Sequence, residues 1–357
     1  MSMPEFVRCK ECVVPNTRPR ISFDGNGVCN ACNYQKRKKH IDWAERKKEL
    51  EELCNRFRKT EGFDVIVPVS GGKNSSYVTW KLKHEHNMHP LCINVRSPLQ
   101  TEIGDKNIDA FANSGFDLIE FTPNPKIAQQ IDRIALKEFG MAQFSWLTAL
   151  FTVPINFALK FGIKLIVYGE EGESEYGGNR ELENKMDFDL DYVNRIYNQG
   201  KSIEKILPEQ PLQDFGFLLC QKPEQLISNG YLLVHFSHFE KWDEDKHLEF
   251  AKEHCGYQPA KERSPGTYHN DWHLSEEKLY SLHMYLAYLK FGLARATNDA
   301  SIDIRAGKIS REQGLKLAEK YDSEFPKKYL KDYLDYFQMS KKEFFGVLNS
   351  FRAKAEK

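Results

Sequence analysis

Apolar residues are spaced in two ways along this chain. From residue 63 onward, short apolar runs at 64–69, 91–95, 117–121 and 163–168 alternate with stretches at 75–88, 102–114 and 125–160 that suit helices. Strands alternating with helices need right-handed crossovers, which predicts an α/β fold with a doubly wound, mostly parallel sheet covered on both faces. Pro68 fits poorly inside a buried strand and is tolerable only at its end. Residues 170–230 are polar and loop-rich. A further strand is predicted in YLLVHF at 231–236, followed by helical patterns at 241–254, 274–291, 310–321 and 326–350.

Before residue 63 the pattern differs. Trp43, Leu50, Cys54 and Phe57 recur at helical intervals among charged residues, predicting one amphipathic linking helix over 36–60 with KRKKH (36–40) as its solvated start. Residues 1–35, rich in Cys, Pro, Asn and Gly, have little periodicity and read as a loop-built unit that needs an outside staple. The predicted division is a small N-terminal cysteine module (1–35), the linking helix (36–60), the α/β domain (61–240) and a mostly helical C-terminal region (241–357).

Composition narrows the partners. Lys+Arg and Asp+Glu both number 51, which removes a general electrostatic drive toward nucleic acid or anionic membrane. No apolar run approaches the ~20 residues of a membrane span, and MSMPEFVRCKEC lacks the apolar core of a secretory signal, so a cytoplasmic location is expected. Four of the eight cysteines form two close pairs, Cys9-x2-Cys12 and Cys29-x2-Cys32, separated by 16 residues. That spacing lets two knuckles present four thiolates tetrahedrally to zinc (Zn2+), closing the ion to water and making it structural. Cys54, Cys92, Cys220 and Cys255 read as core thiols.

The segment VIVPVSGGKNSSYVTW (65–80) runs a strand into Ser70, Gly71, Gly72 and Lys73, then Asn74, Ser75, Ser76 and a helix. Two glycines let backbone approach a ligand, the helix start offers unpaired N–H groups, and hydroxyls and a lysine flank them: a cradle for a di- or triphosphate. The Gly five residues before Gly-Lys and the hydroxyl directly after Lys, which the Walker loop requires, are both missing.

SGGKNSS resembles the SGGxDS loop of the PP-loop ATP pyrophosphatases, a Rossmann-like superfamily that splits ATP between its α- and β-phosphates. The resemblance makes the loop the holder of departing pyrophosphate, with Asn74 standing where the family has an acidic residue. The cysteine pairs, YGEEGESEYGGNRELEN (168–184) and FGLARATNDASIDIRAGKISREQGLKLAEKYD (291–322) look like the N-acetyl sugar amidotransferases of bacterial surface-polysaccharide (lipopolysaccharide O-antigen) biosynthesis, over about residues 9 to 322. That likeness implies ATP-driven conversion of an acetamido group on an activated N-acetyl sugar into an acetamidino group.

On that resemblance Lys73, Ser70, Glu170 and Glu175 become the candidate catalytic residues. Glu170, Glu171, Glu173 and Glu175 follow an apolar run and so stand at the carboxyl end of a strand, able to hold magnesium (Mg2+) or take a proton from ammonia; a solvated acidic loop is the other reading. Tyr176, Gly177, Gly178 and Arg180 are candidates for shaping a sugar pocket. Arg295, Arg305 and Arg311, near Asp299 and Asp303, offer forks for sugar phosphate or carboxylate, or plain helix-surface ion pairs. His235, His238, His269 and His273 make no metal spacing, and QFSWLTALF (143–151) reads as core. The chain begins Met1-Ser2-Met3 and has neither glutaminase signature, so a separate glutaminase and an ammonia-channelling barrel subunit, similar to those of imidazole-glycerol-phosphate synthase, are expected partners. Two alternatives stand beside this reading: a tRNA-modifying enzyme of the thiolation type, and a zinc-module binding protein with a vestigial loop.

Overall fold

The computed structural model describes residues 6–271 and 276–352. Six strands, β1 (Val65–Pro68), β2 (Pro90–Val95), β3 (Asp117–Phe121), β4 (Leu165–Tyr168), β5 (Asp187–Phe188) and β6 (Leu232–His235), form one sheet in the order β3-β2-β1-β4-β6-β5. All pairings are parallel except that of the short edge strand β5 with β6. Alternate side chains of each central strand go to opposite faces, as the pleat requires. Ile66, Leu91, Ile93, Ile166 and Leu233 enter one core with α5 (Pro125–Phe139) and α6 (Phe144–Phe161). Val65, Val67, Cys92, Leu165, Val167 and Val234 enter another with α2 (Trp43–Phe57), α3 (Lys73–His84) and α4 (Glu102–Asn113). The sheet is therefore doubly wound, and Pro68 ends its strand, where no ladder donor is needed.

Several predicted boundaries shift. The single helix expected over 36–60 is two: α1 (Asn30–Arg37) and α2, separated by a 3-10 turn at Lys38–His40 because Asp42 caps α2 by accepting from the Ala44 and Glu45 N–H groups. Lys38, expected in solvent, is buried and ion-paired. The stretch 125–160 is broken at Gly140, a left-handed cap with φ 61°. α6 is the one helix among the described residues long and apolar enough to cross a membrane; 61% of it is buried inside the fold. After α7 (Gly172–Tyr176) come only short turns of helix, α8 (Leu190–Tyr192), α9 (Ile203–Ile206) and α10 (Pro223–Ser228), as the loop-rich reading expected.

The C-terminal region adds α11 (Glu244–Cys255), α12 (Lys278–Phe291), α13 (Arg295–Arg305), α14 (Arg311–Tyr321), α15 (Leu330–Phe337) and α16 (Lys341–Arg352). The break between the last two falls at Gln338, in the left-handed region at φ 50°. α13 was not foreseen: it buries Arg295, Thr297, Asp299, Ser301 and Asp303, so it carries no apolar period to read.

Candidate functional site

A cleft of about 590 Å³ opens over the carboxyl ends of β1, β2 and β4. β2 and β4 lie on opposite sides of β1, so this is the topological switch point at which open α/β sheets bind ligands. Its floor is Pro68, Val69 and Ser70 from β1, Ile93 and Asn94 from β2, and Tyr168, Gly169 and Glu170 from β4. Trp146, Leu147, Leu150 and Phe151 of α6 form an apolar wall. The segment read as core is therefore core on one side and cleft on the other; Trp146 Nε1 donates to the Val95 carbonyl at 2.9 Å.

The turn between β1 and α3 is built by close approach. Gly71 has φ +78°, and a Cβ there would lie 2.6 Å from the backbone nitrogen of Ile108. A Cβ on Gly72 would meet Glu276 Oε1 at 2.7 Å. Gly72 is the N-cap of α3 and supplies no side-chain cap, which leaves the first-turn N–H groups facing the cleft without a competing side chain. Ser75 Oγ accepts from the Ser70 N–H at 3.3 Å and donates to the Gly72 carbonyl at 3.2 Å, bracing the turn.

Lys73 projects from that helix start and is buried, with Nζ 2.7 Å from Asp271 Oδ2 and 3.6 Å from Glu244 Oε2. Burial alone would raise the Asp271 carboxyl, but His269 and Lys73 outweigh it and hold Asp271 well below the usual carboxylate range. Glu244 goes the other way, pushed up to about 7 by burial against the pull of Lys73. The Tyr176 hydroxyl donates to Glu244 Oε1 at 2.8 Å and lies 3.4 Å from Glu170 Oε1, which brings both carboxylates to one hydroxyl. Asn74 Oδ1 lies 3.0 Å from Nδ1 of His247, a ring stacked on Tyr77 and kept neutral by burial.

Of the residues singled out from sequence, Ser70, Gly72, Lys73, Asn74, Ser75, Glu170, Tyr176 and Arg295 line this cleft. Gly71 packs behind it on α4. Ser76 does not reach it: the side chain is fully buried, near Cys255 of α11. Glu175 is turned away, its carboxylate 2.7 Å from Lys38 Nζ, because successive residues of a helix point about 100° apart, so Glu175 and Tyr176 leave α7 on different faces. Arg180 is more than half exposed and pairs with Glu183. Asp299 is sealed behind Arg295, with Oδ1 2.7 Å from its Nε. Arg305 Nη2 donates to the Glu175 carbonyl at 3.3 Å. Arg311 leaves the cleft altogether: Nε donates to the carbonyls of Cys9 and Cys12 at 3.1 and 3.0 Å. His235 stacks on Phe188, His238 faces Glu49 and His269 faces Asp303; His273 lies outside the described residues.

The four paired cysteines converge. Their Sγ atoms all lie within 4.8 Å of one another, with Cys9–Cys32 at 4.0 Å and Cys12–Cys29 at 3.7 Å. Ligand bonds of about 2.3 Å at tetrahedral angles put thiolate sulfurs about 3.8 Å apart, so the group fits one ion. Backbone N–H groups of Cys29 and Cys32 point at Cys9 and Cys29 sulfurs at 3.2 and 3.4 Å, the donors that thiolate ligands want.

Glu173, one of the four glutamates named from the sequence, also lines the cleft, whereas sequence reading missed Arg18, Arg20, Asp271 and Tyr280, which line it too. Arg18 and Arg20 come from the cysteine module; their only sequence signal is NTRPR (16–20), two arginines in a loop with few charges around them.

Residues 237–357 match the family described as LPS biosynthesis protein WbpG-like, C-terminal domain. The uncharacterized protein MJ1599 of Methanocaldococcus jannaschii is 31% identical over 91 residues, which is 25% of this chain and 32% of that protein, so the chain spans about a third of the curated relative's length. Among solved structures, the U34-tRNA thiolase NcsA from Methanococcus maripaludis with its 4Fe-4S cluster is 15% identical, with 87% of this chain and 88% of that chain covered and a TM-score of 0.32. A predicted subunit of tRNA methyltransferase from Methanocaldococcus jannaschii is 12% identical, with 63% and 88% covered and a TM-score of 0.29. Likeness at that level says nothing of what this chain binds or acts on.

Proposed function

We propose that this chain is an ATP-dependent amidotransferase that turns the acetamido group of an activated N-acetyl sugar into an acetamidino group. The supporting observation is the glycine turn at the switch point: backbone donors and Lys73 lie at one end of a cleft large enough for a nucleotide and part of a second substrate. The match of the C-terminal third to a lipopolysaccharide-biosynthesis family supports the sugar as that substrate.

An amide carbon is a poor electrophile and oxide a poor leaving group, and adenylation cures both faults. The amide oxygen attacks the α-phosphorus of ATP and pyrophosphate departs. Ammonia then adds to the O-adenyl imidate carbon, AMP leaves with the former amide oxygen, and one proton is lost to give the amidine. In this scheme Lys73 and the α3 N–H groups stabilise charge growing on pyrophosphate. In the same scheme Glu170, a cleft carboxylate with Tyr176 beside it, takes the proton that ammonia gives up. Magnesium would supply charge neutralisation on the phosphates, and Asp271, the cleft carboxylate beside Lys73, would hold it.

The thiolate centre takes zinc on this reading, since four sulfurs this close surround one ion rather than a cluster, and it serves folding rather than chemistry. Ammonia comes from a separate glutaminase and barrel subunit, so ammonium salts sustain the isolated chain and glutamine alone does not. The test is pyrophosphate release from ATP with ammonium and a panel of nucleotide-linked N-acetyl sugars, with mass spectrometry of the product. Release with tRNA and with none of the sugars overturns the proposal.

A further inference from the structure

The cysteine module is stitched to the turn that ends α7 by two side chains. Arg18 donates from Nε to the Gly177 carbonyl and from Nη1 to Asn298 Oδ1 at 2.6 Å. Asn30 Nδ2, in the first turn of α1, donates to the Gly178 carbonyl at 3.0 Å. The two glycines accept this docking because nothing larger fits. Gly177 has φ +92°, and a Cβ there would lie 3.2 Å from Ile21 and 3.4 Å from Ala31, both in the module. A Cβ on Gly178 would fall 2.1 Å from Glu173 Oε2, the carboxylate that Arg20 grips with both Nε and Nη2.

Apart from the Asn298 bond, which reaches α13, these contacts act on α7 and the turn that ends it. α7 carries Glu173 and Tyr176 into the cleft, and it is only five residues long, too short to hold its own conformation. Its N-terminus is fixed internally, by Glu171 accepting from the N–H groups of Glu173 and Ser174. Its C-terminal end is tied by Glu173 Oε2 accepting from the Asn179 N–H at 2.6 Å and by Arg305 on the Glu175 carbonyl, while the carbonyls of the Gly177–Gly178 turn itself are held by Arg18 and Asn30. Those two residues are themselves placed by the knuckles: Asn30 directly follows Cys29, and Arg18 sits on the loop between Cys12 and Cys29. That loop has few apolar residues to hold it without an ion.

We infer that the thiolate centre is a positioning device for the second-substrate end of the cleft, acting through Arg18 and Asn30 on the Gly177–Gly178 turn, while the phosphate-binding turn at Ser70–Ser75 is independent of it. Arg18 has a further part. Arg20 is matched by Glu173 and Arg295 by Asp299, whereas Arg18 hydrogen-bonds neutral acceptors among the described residues, and its charged neighbours are Glu173, already gripped by Arg20, and the cations Arg305 and Arg20. A guanidinium in that position on the cleft wall favours an oxyanion on whatever binds there.

Hydrogen–deuterium exchange on the full chain, with the ion bound and after chelation, tests the coupling without knowledge of the substrate. Ion removal raises exchange about tenfold or more across residues 172–180 and in the module, and leaves residues 65–84 unchanged. Arg18→Gln and Asn30→Ala, each with its ion content verified, raise exchange at 172–180 alone. With uridine diphosphate N-acetylglucosamine as probe, Arg18→Gln weakens sugar binding about tenfold and leaves a non-hydrolysable ATP analogue unaffected. Unchanged exchange at 172–180 after chelation, or loss of protection throughout the chain at once, overturns the inference. Failure of the sugar probe to bind, with the exchange pattern as expected, removes the sugar reading and leaves the coupling standing.

Discussion

The ammonium of Lys73 stands 2.7 Å from Oδ2 of Asp271, a residue 198 positions later in the chain. The phosphate turn is therefore closed by the C-terminal region, and its cation is held in a buried pair rather than left extended into solvent. Breaking one half of such a pair strands the other, at a cost of about 3–5 kcal/mol. Lys73→Met is expected to destabilise by that order and to cut turnover about 10²–10³-fold. Lys73→Met with Asp271→Asn should recover most of the stability, read from urea unfolding, and none of the turnover, read from pyrophosphate release. Recovery of both would remove Lys73 from the chemistry.

The two glycines of the turn should respond differently to the same methyl group. At Gly71 an alanine must adopt φ +78° and push backbone of α4, which cannot yield cheaply. At Gly72 the backbone lies in the extended region that any residue adopts, and the obstruction is the tip of the Glu276 side chain. Gly71→Ala is expected to lower stability by about 2 kcal/mol or more, and Gly72→Ala by less than about 1 kcal/mol. Thermal melts of the two variants side by side check this.

Glu170, in the turn after β4, and Glu175, near the end of α7, have opposite prospects. Glu170 lines the cleft, whereas Glu175 belongs to the buried pair with Lys38, whose side chains are 10% and 3% exposed. Glu170→Gln should reduce turnover about 10²-fold at unchanged stability. Glu175→Gln should leave the chemical step within a few-fold of wild type while lowering the unfolding midpoint. The opposite assignment in a paired kinetic and melting experiment would return Glu175 to the chemistry.

The parts of this molecule that could be read in advance are those where local pattern and tertiary role agree. β1, Gly71 and Lys73 were legible because a buried parallel strand is a short apolar run and a tight turn at its end needs glycine. The cysteines were legible because their spacing is itself the geometry of the site. Asp271, His269 and Arg18 were not, since nothing local distinguishes a cleft residue on an irregular segment from a solvated one. Glu175 and Arg311 were misplaced for a related reason. Residue type identified them as charged and able to bond, while the partner each found, Lys38 and the knuckle carbonyls, depends on how α7 and α14 pack against the module.

Arg311 gives the module an outer anchor. Its guanidinium bonds the carbonyls of Cys9 and Cys12, two of the four cysteines that could hold a metal ion, which fixes the first knuckle against α14. Partners of that kind tune ligands without touching the ion, and removing them typically costs about 10–100-fold in metal affinity. Arg311→Ala is expected to fall in that range when zinc is titrated against a chromogenic chelator. Arg311→Lys should recover little, because a single ammonium cannot span both carbonyls.

His269 ties stability to pH. It stands 3.6 Å from Asp271 and 3.2 Å from Asp303; Asp299 lies further off, Tyr268 donates to the same Asp303 oxygen, and Lys73 and Lys308 approach from the far sides of the two carboxylates. Burial works against the imidazolium, but the two carboxylates outweigh it and raise its pKa to about 9. An unfolded histidine titrates near 6.5, so the folded state binds the proton more tightly. The stabilisation is therefore complete below about pH 6.5 and is lost as pH rises toward 9. His269→Gln should be less stable than wild type at pH 6, and the difference should shrink steadily to pH 9.5, when unfolding free energies are measured at fixed ionic strength. A difference that stays constant across that range would mean that the ring is held by packing alone, and that Asp271 is kept ionised by Lys73 without help from His269.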